Sequence, residues 1–221
     1  ETSPVISMSN QEYTRRGASG RPIKDVEVAI TEEGEIITRG PHVMLGYYKD
    51  EVATAEAIRD DWFYTGDLGH LDEDNFIYIT GRKKELIVTA GGKNIAPVLL
   101  ESLMTEDLLI EQALVIGSEQ KYLTALVVVA REPLEKCLRE QQMELTWPGV
   151  LEDARVEQLF RERIDRQLQN LSPYEQVGKF TLLPEPFSLE REEMTAKLSL
   201  RRDVIMKNQA AAIEAMYQDN S

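Results

Sequence analysis

The stretch 64–101, YTGDLGHLDEDNFIYITGRKKELIVTAGGKNIAPVLLE, restricts the fold more than any other. Two runs of strand length, FIYIT (76–80) and ELIVT (85–89), are set in it between glycines and acidic turn residues. β-Branched and aromatic residues bounded by Asp72-Glu73-Asp74-Asn75, Gly81 and Gly91-Gly92 read as two short strands with tight connections. Asp67, Arg82 and Lys84 stand in the joints, so polar groups gather where the strands end. The expectation is a site joined to a hinge.

The flanking segments have different grammars. On the N-terminal side, KDVEVAI (24–30), the turn Glu32-Glu33-Gly34-Glu35 and IITRG (36–40) spell a β-hairpin, and DEVATAEAI (50–58) a short helix capped by Asp50. After Arg82, strands and helices alternate. Pro97 opens a helix whose apolar face is Val98, Leu99, Leu103 and Met104. QALVIG (112–117) and LTALVVVA (123–130) are near-continuous apolar runs, as fully buried strands require. Pro133 opens a helix with Leu134, Cys137 and Leu138 on one face, and Val156, Leu159, Phe160, Ile164, Leu168 and Leu171 mark an amphipathic helix. A capping box at Ser172–Glu175 begins a short turn that Gly178 ends, KFTLL (179–183) is a last strand, and a helix runs from about 200 to 217. The fold class is α+β, in two units: a β-rich unit at 1–82 and an α+β unit at 83–221.

Charge and composition exclude several function classes. With 25 Lys and Arg against 39 Asp and Glu the net charge is −14, and no basic stripe is present to meet nucleic-acid phosphates. One cysteine, Cys137, rules out an internal disulfide framework, and two histidines with one cysteine leave no zinc site. The acidic turn LDEDN lacks the glycine and terminal glutamate spacing of a calcium-binding EF-hand loop. No run approaches the ~18 apolar residues of a membrane span, and ETSPVISMSN has neither the basic nor the apolar part of a leader. A cytoplasmic protein is expected, with peripheral membrane contact left open. The chain starts without an initiator methionine and reads as a piece excised from a longer protein.

Taken alone, the polar residues have ordinary readings beside functional ones. Asp67 is a turn aspartate capping its own backbone, or a carboxylate facing a cleft and able to accept two hydrogen bonds from one diol. Arg82 is an exposed turn arginine or a planar donor to ribose or phosphate oxygens. Gly91-Gly92 is a tight turn or a place where a ligand approaches the backbone closely. Lys84 and Lys197 would each pass for solvated surface lysines.

The order of motifs decides among these readings. YTGD, a hairpin, GRKKELI, then a glycine pair with KNIAP and a helix beginning VLLE resemble the C-terminal part of the adenylate-forming enzymes: acyl-CoA synthetases, luciferases and peptide-synthetase adenylation modules. GPHVMLGYYKD, TAEAI and DWFYTGD extend the resemblance through 1–82, implying the end of a large AMP-binding domain built as a small distorted β-barrel. Residues 83–221 resemble the family's mobile C-terminal domain. The resemblance implies that Asp67 holds the ribose hydroxyls, Arg82 contacts the nucleotide, Lys84 is the hinge, and Gly91 and Gly92 line the tunnel for the pantetheine arm of CoA. ETSP looks like the tail of the family's Thr-Glu motif, which makes Glu1 the magnesium-contacting carboxylate. Thr195-Ala196-Lys197-Leu198 resembles the C-terminal motif of the long-chain and bubblegum-like branch, where Thr-x-Lys-Leu replaces the commoner Gly-Lys pair; Lys197 would be the catalytic lysine.

The implied activity is that of a fatty acid CoA ligase using ATP, Mg2+ and CoA. A carboxylic acid attacks ATP to give an acyl-adenylate and pyrophosphate, and the CoA thiol then displaces AMP. The phosphate loop and acid pocket would lie in an upstream N-terminal domain, so the chain by itself is expected to be inactive. Two other functions compete: passing the acyl-adenylate to a carrier protein, or a catalytically silent binding module of the same fold. Retention of Asp67, Arg82 and Lys197 together weighs against the silent module.

Overall fold

The computed structural model describes residues 1–143 and 146–218. It divides into two compact units, Glu1–Leu86 and Ile87–Ser221.

In the first unit β1 (Ser7–Met8) pairs antiparallel with β2 (Arg21–Pro22). The main sheet follows: β3 (Glu27–Ile30), β4 (Glu35–Arg39), then α1 (Glu51–Ala57), β5 (Ile58–Arg59), β6 (Trp62–Leu71) and β7 (Ile77–Arg82). β3 and β4 form the expected hairpin, and Asp50 caps α1 by accepting from the Ala53 amide at 2.9 Å. β6 is long enough to serve three partners, pairing with β5 at its start, β4 along its length and β7 beyond Asp67. Two irregularities let it do so: Gly66 takes φ +73°, and the register with β7 shifts between Leu68 and Gly69. Gly69 admits no side chain, since a Cβ there would lie 2.1 Å from the Tyr78 carbonyl oxygen. Ile36, Ile37, Phe63, Leu68, Phe76 and Ile77 are the core. The five strands form an open sheet, and no closed barrel occurs among the described residues. The distorted-barrel expectation is corrected accordingly.

The second unit is built on a three-stranded sheet. β8 (Ile87–Val88) and β9 (Asn94–Ile95) make a small hairpin, followed by α2 (Pro97–Met104), β10 (Ile110–Ile116), β11 (Leu123–Val129) and α3 (Arg131–Glu140). Then come α4 (Ala154–Leu168), β12 (Val177–Leu183), α5 (Arg202–Asn208) and α6 (Ala210–Tyr217). β11 is central, antiparallel to β10 and parallel to β12. Its alternating residues feed two cores. Leu123, Ala125, Val127 and Val129 pack with Leu100, Met104, Leu134, Phe160 and Ile164, while Leu126 and Val128 pack with Phe187, Ile205 and Met216. Burial on both faces explains why this strand is apolar throughout.

Several local expectations are corrected. The run 85–89 yields only β8, because a 3-10 turn occupies Lys83–Glu85 and the partner strand β9 is cut short by Pro97, which has no N–H to donate. Val98 is exposed and the buried face of α2 is Pro97, Leu100 and Met104. Gly178 lies inside β12 instead of ending a turn; a Cβ there would meet the Tyr122 ring at 2.9 Å, which is why glycine fits. The C-terminal helix breaks at Gln209, where φ −104° and ψ 18° leave the helical region.

Candidate functional site

The bulged register of β6 and β7 sets Asp67 directly opposite Arg82, and the Arg82 Nε lies 2.9 Å from Asp67 Oδ1. The structure therefore brings together two residues that the sequence places fifteen apart as separate candidates. The carboxylate is three-quarters buried, whereas the guanidinium is 62% exposed. The Asp67 side chain is held at the start of the bulge, where its own amide donates to Thr65 Oγ1 at 3.0 Å and Thr65 Oγ1 donates to the Ile36 carbonyl at 2.7 Å. Burial raises the Asp67 pKa above the ordinary carboxylate value; Arg82 opposes this, and Glu85 and Glu35 add to it.

Glu35 is a supporting residue that sequence reasoning missed. Almost fully buried, it accepts from the Gly66 amide at 3.0 Å and from Lys83 Nζ at 3.1 Å, and Lys83 also reaches Glu33 at 2.6 Å. It thereby holds the Thr65-Gly66-Asp67 corner from below. Its signal in the sequence was only a glutamate beside a turn, and its partners lie far along the chain.

Lys84 and Glu1 are the other candidates in this unit. Lys84 is exposed in the middle of the 3-10 turn Lys83–Glu85, just before the division between the two units. Glu1 accepts from Tyr47 Oη at 3.2 Å, and its carbonyl accepts from the Met44 amide at 2.8 Å. Among the described residues no group of three or more His, Cys, Asp and Glu side chains is arranged to hold a metal. The LDEDN turn is occupied by protein cations: Arg15 pairs with Asp72 and Asp74 while lying over the Phe76 ring at 4.6 Å.

In the second unit, Gly91 and Gly92 form the exposed tip of the β8–β9 hairpin. Gly92 takes φ +73° and donates to the Thr89 carbonyl at 2.8 Å, and no heavy atom lies within 4 Å of where a Gly92 Cβ would stand. The bare backbone is open to a ligand on that side. Lys197 is exposed on a tight loop between Met194 and Leu200, which form an isolated antiparallel bridge. The loop's base rests on Glu193, 1% exposed, whose carboxylate accepts from Arg191 Nε at 2.9 Å and Asn208 Nδ2 at 3.1 Å. A charged head on an exposed loop with a buried base can be presented to a ligand without disturbing the core. A cavity of about 680 Å3 between α4, β12 and α6 contains none of the expected site residues. No helix among the described residues is long and apolar enough to cross a membrane.

The sequence is 37% identical over 221 residues to the long-chain-fatty-acid–CoA ligase FadD15 of Mycobacterium bovis, covering 98% of this chain and 36% of that protein. It is 32% identical over 245 residues to the long-chain-fatty-acid–CoA ligase ACSBG1 of Homo sapiens, covering 99% of this chain and 34% of that protein. The chain thus spans about a third of the length of these relatives. In structure it resembles the O-succinylbenzoate coenzyme A synthetase of Bacillus subtilis in complex with AMP, with a TM-score of 0.59 at 25% identity, over 86% of this chain and 35% of that one. The fold is also shared with the A-PCP didomain of a carboxylic acid reductase from Segniliparus rugosus, with a TM-score of 0.68 at 21% identity, over 90% of this chain and 28% of that one. The profile of the AMP-binding enzyme C-terminal domain matches residues 84–221, well over half of the sequence, and on that match the chain belongs to the AMP-binding enzyme family.

Proposed function

We propose that this chain is the C-terminal part of a longer, AMP-forming fatty acid CoA ligase. The observation that carries the reading is the cross-strand Asp67–Arg82 pair, because it leaves Asp67 Oδ2 and the Arg82 η-nitrogens without another partner among the described residues. A ribose diol meets that arrangement with two donors for the carboxylate and two acceptors for the guanidinium. Fatty acid as the substrate class is supported by the names of the long-chain-fatty-acid–CoA ligases to which the chain is similar over nearly its whole length.

In the first half-reaction a carboxylate oxygen of the acid attacks the α-phosphorus of ATP and pyrophosphate leaves. Two anions must meet, and the Lys197 ammonium would bridge them, offsetting charge that grows towards the transition state. Glu1 would supply one carboxylate oxygen to Mg2+, an ion that takes one or two protein carboxylates and fills its shell with phosphate oxygens and water. In the second half-reaction the CoA sulfur attacks the acyl carbon and AMP leaves, with the pantetheine arm passing the bare backbone at Gly91 and Gly92. The two steps call for different residues of the second unit, so the domain 83–221 would swing on Lys84, in a short turn able to absorb the dihedral change.

The test is turnover by the longer enzyme with ATP, a panel of fatty acids, and either CoA or an acyl carrier protein as acceptor. AMP and acyl-CoA formation is expected, with no turnover by residues 1–221 alone. Acyl transfer only to the carrier protein would overturn the choice of acceptor, and absence of acyl-adenylate with every acid would leave the silent binding module.

A further inference from the structure

We propose that Thr195 is the positioning residue for Lys197. This rests on the assignment of Lys197 above, and the geometry is that of a three-residue loop closed by one residue. Thr195 commits all of its polar groups to the loop. Its amide donates to the Ser199 carbonyl at 2.8 Å, its carbonyl accepts from the Leu198 amide at 2.8 Å, and its Oγ1 accepts from the Ser199 amide at 3.2 Å. Ala196 and Lys197 are thereby held as the two central residues of a tight turn, and Leu198 follows with φ +62°.

A left-handed residue after a tight turn is the usual closure of a three-residue hairpin loop, and glycine or asparagine is its usual occupant. Here it is a leucine that is 66% exposed, so no packing of its own pins it there. A leucine in that backbone region persists only where neighbouring contacts over-determine it. Those contacts are the ones Thr195 makes. The base below is fixed separately, by the Arg201 amide donating to the Glu193 carbonyl at 2.7 Å, so Thr195 controls the tip and little else. Losing its hydroxyl frees the Ser199 amide to solvent, loosens the turn and lets the lysine wander from the position where it meets both reactants.

The experiment measures acyl-adenylate formation by the longer enzyme carrying Thr195→Val, Thr195→Ser, Lys197→Ala or the Thr195→Val/Lys197→Ala pair. Thr195→Val is expected to lower kcat for adenylation on the order of tenfold to a hundredfold, with KM for ATP nearly unchanged, as misplacement of a reacting group does. Thr195→Ser, which keeps the acceptor oxygen, restores the rate. The double variant is no slower than Lys197→Ala, because a residue that acts through another has no effect once the other is gone. Leu198→Val, whose branched side chain resists positive φ, reproduces the Thr195→Val defect without touching the threonine. An unmodified rate in Thr195→Val, or a double variant slower than Lys197→Ala by the full single-variant factor, would overturn the inference while leaving the lysine's role intact. A Lys197→Ala enzyme that adenylates normally would overturn the underlying assignment, and this inference with it.

Discussion

Asp67 is a carboxylate whose burial makes its proton harder to lose than that of an ordinary aspartate. Burial outweighs the nearby Arg82, and Glu85 and Glu35 push the same way, so its pKa stands above the usual aspartate value of 3.8. The linkage follows from the sign: the unfolded chain releases this proton more readily, so stability is lost as pH rises from 3.8 through the raised folded value. Asp67→Asn is therefore expected to raise Tm slightly at neutral pH and to leave it unchanged below 3.8. If Asp67 holds a ribose as proposed, the same change removes charged hydrogen bonds worth roughly 1.5–3 kcal/mol, an expected loss of about tenfold to hundredfold in hold on AMP. Thermal melts and AMP titrations of the longer enzyme check the two halves, and a variant that loses stability with no loss of AMP affinity would make Asp67 structural. Both Asp67 and Arg82 were visible in the sequence beside a glycine, although Asp67 lies inside β6 and only Arg82 ends a strand. Their pairing was not, since it depends on a bulge at Leu68 and Gly69 that no residue pattern announced. Leu198 was equally hidden, because a left-handed turn position is ordinarily signalled by glycine.

At the scale of elements, α4 was the most legible and also shows what pattern reading misses. Val156, Phe160, Ile164 and Leu168 recur at helical spacing and are all fully buried, so periodicity and core coincide. The start of the helix depends on Asp153, which accepts from the Arg155 amide and from Arg155 Nε, both at 2.9 Å. Those hydrogen bonds from the Arg155 side chain and backbone hold the Asp153 pKa down, from 3.8 to about 2. A depressed carboxylate contributes stability that is present above 3.8 and is lost as pH falls towards 2. Asp153→Ala should thus lower Tm by about 2–4 °C at neutral pH, the size of a lost helix cap in a chain of this length. The gap should close in melts below pH 2, and a gap that persists there would mean that packing, and not the charged cap, is what was lost. The break between α5 and α6 escaped notice because Ala210-Ala211-Ala212 is itself helix-favouring; Gln209 leaves the helix with no proline or glycine to mark it.

At the scale of the molecule, the division between Leu86 and Ile87 puts the Asp67–Arg82 pair in one unit and the glycine hairpin and the Lys197 loop in the other. The first unit carries Asp67 and Arg82, and the second carries Gly91 and Gly92 at the tip of the β8–β9 hairpin and Lys197 on a separate loop. The proposed reaction assigns both loops to successive steps, and its sharpest consequence is that Lys197 serves only the first of them. The direct measurement is to assay Lys197→Ala in the longer enzyme twice: for acyl-adenylate formation from fatty acid and ATP, and for thioester formation from supplied acyl-adenylate and CoA. A loss on the order of 10² to 10³ is expected in the first assay, the size of removing a preorganised charge at a developing anion, with a normal rate in the second. Equal losses in both assays, or none in the first, would contradict that assignment of Lys197.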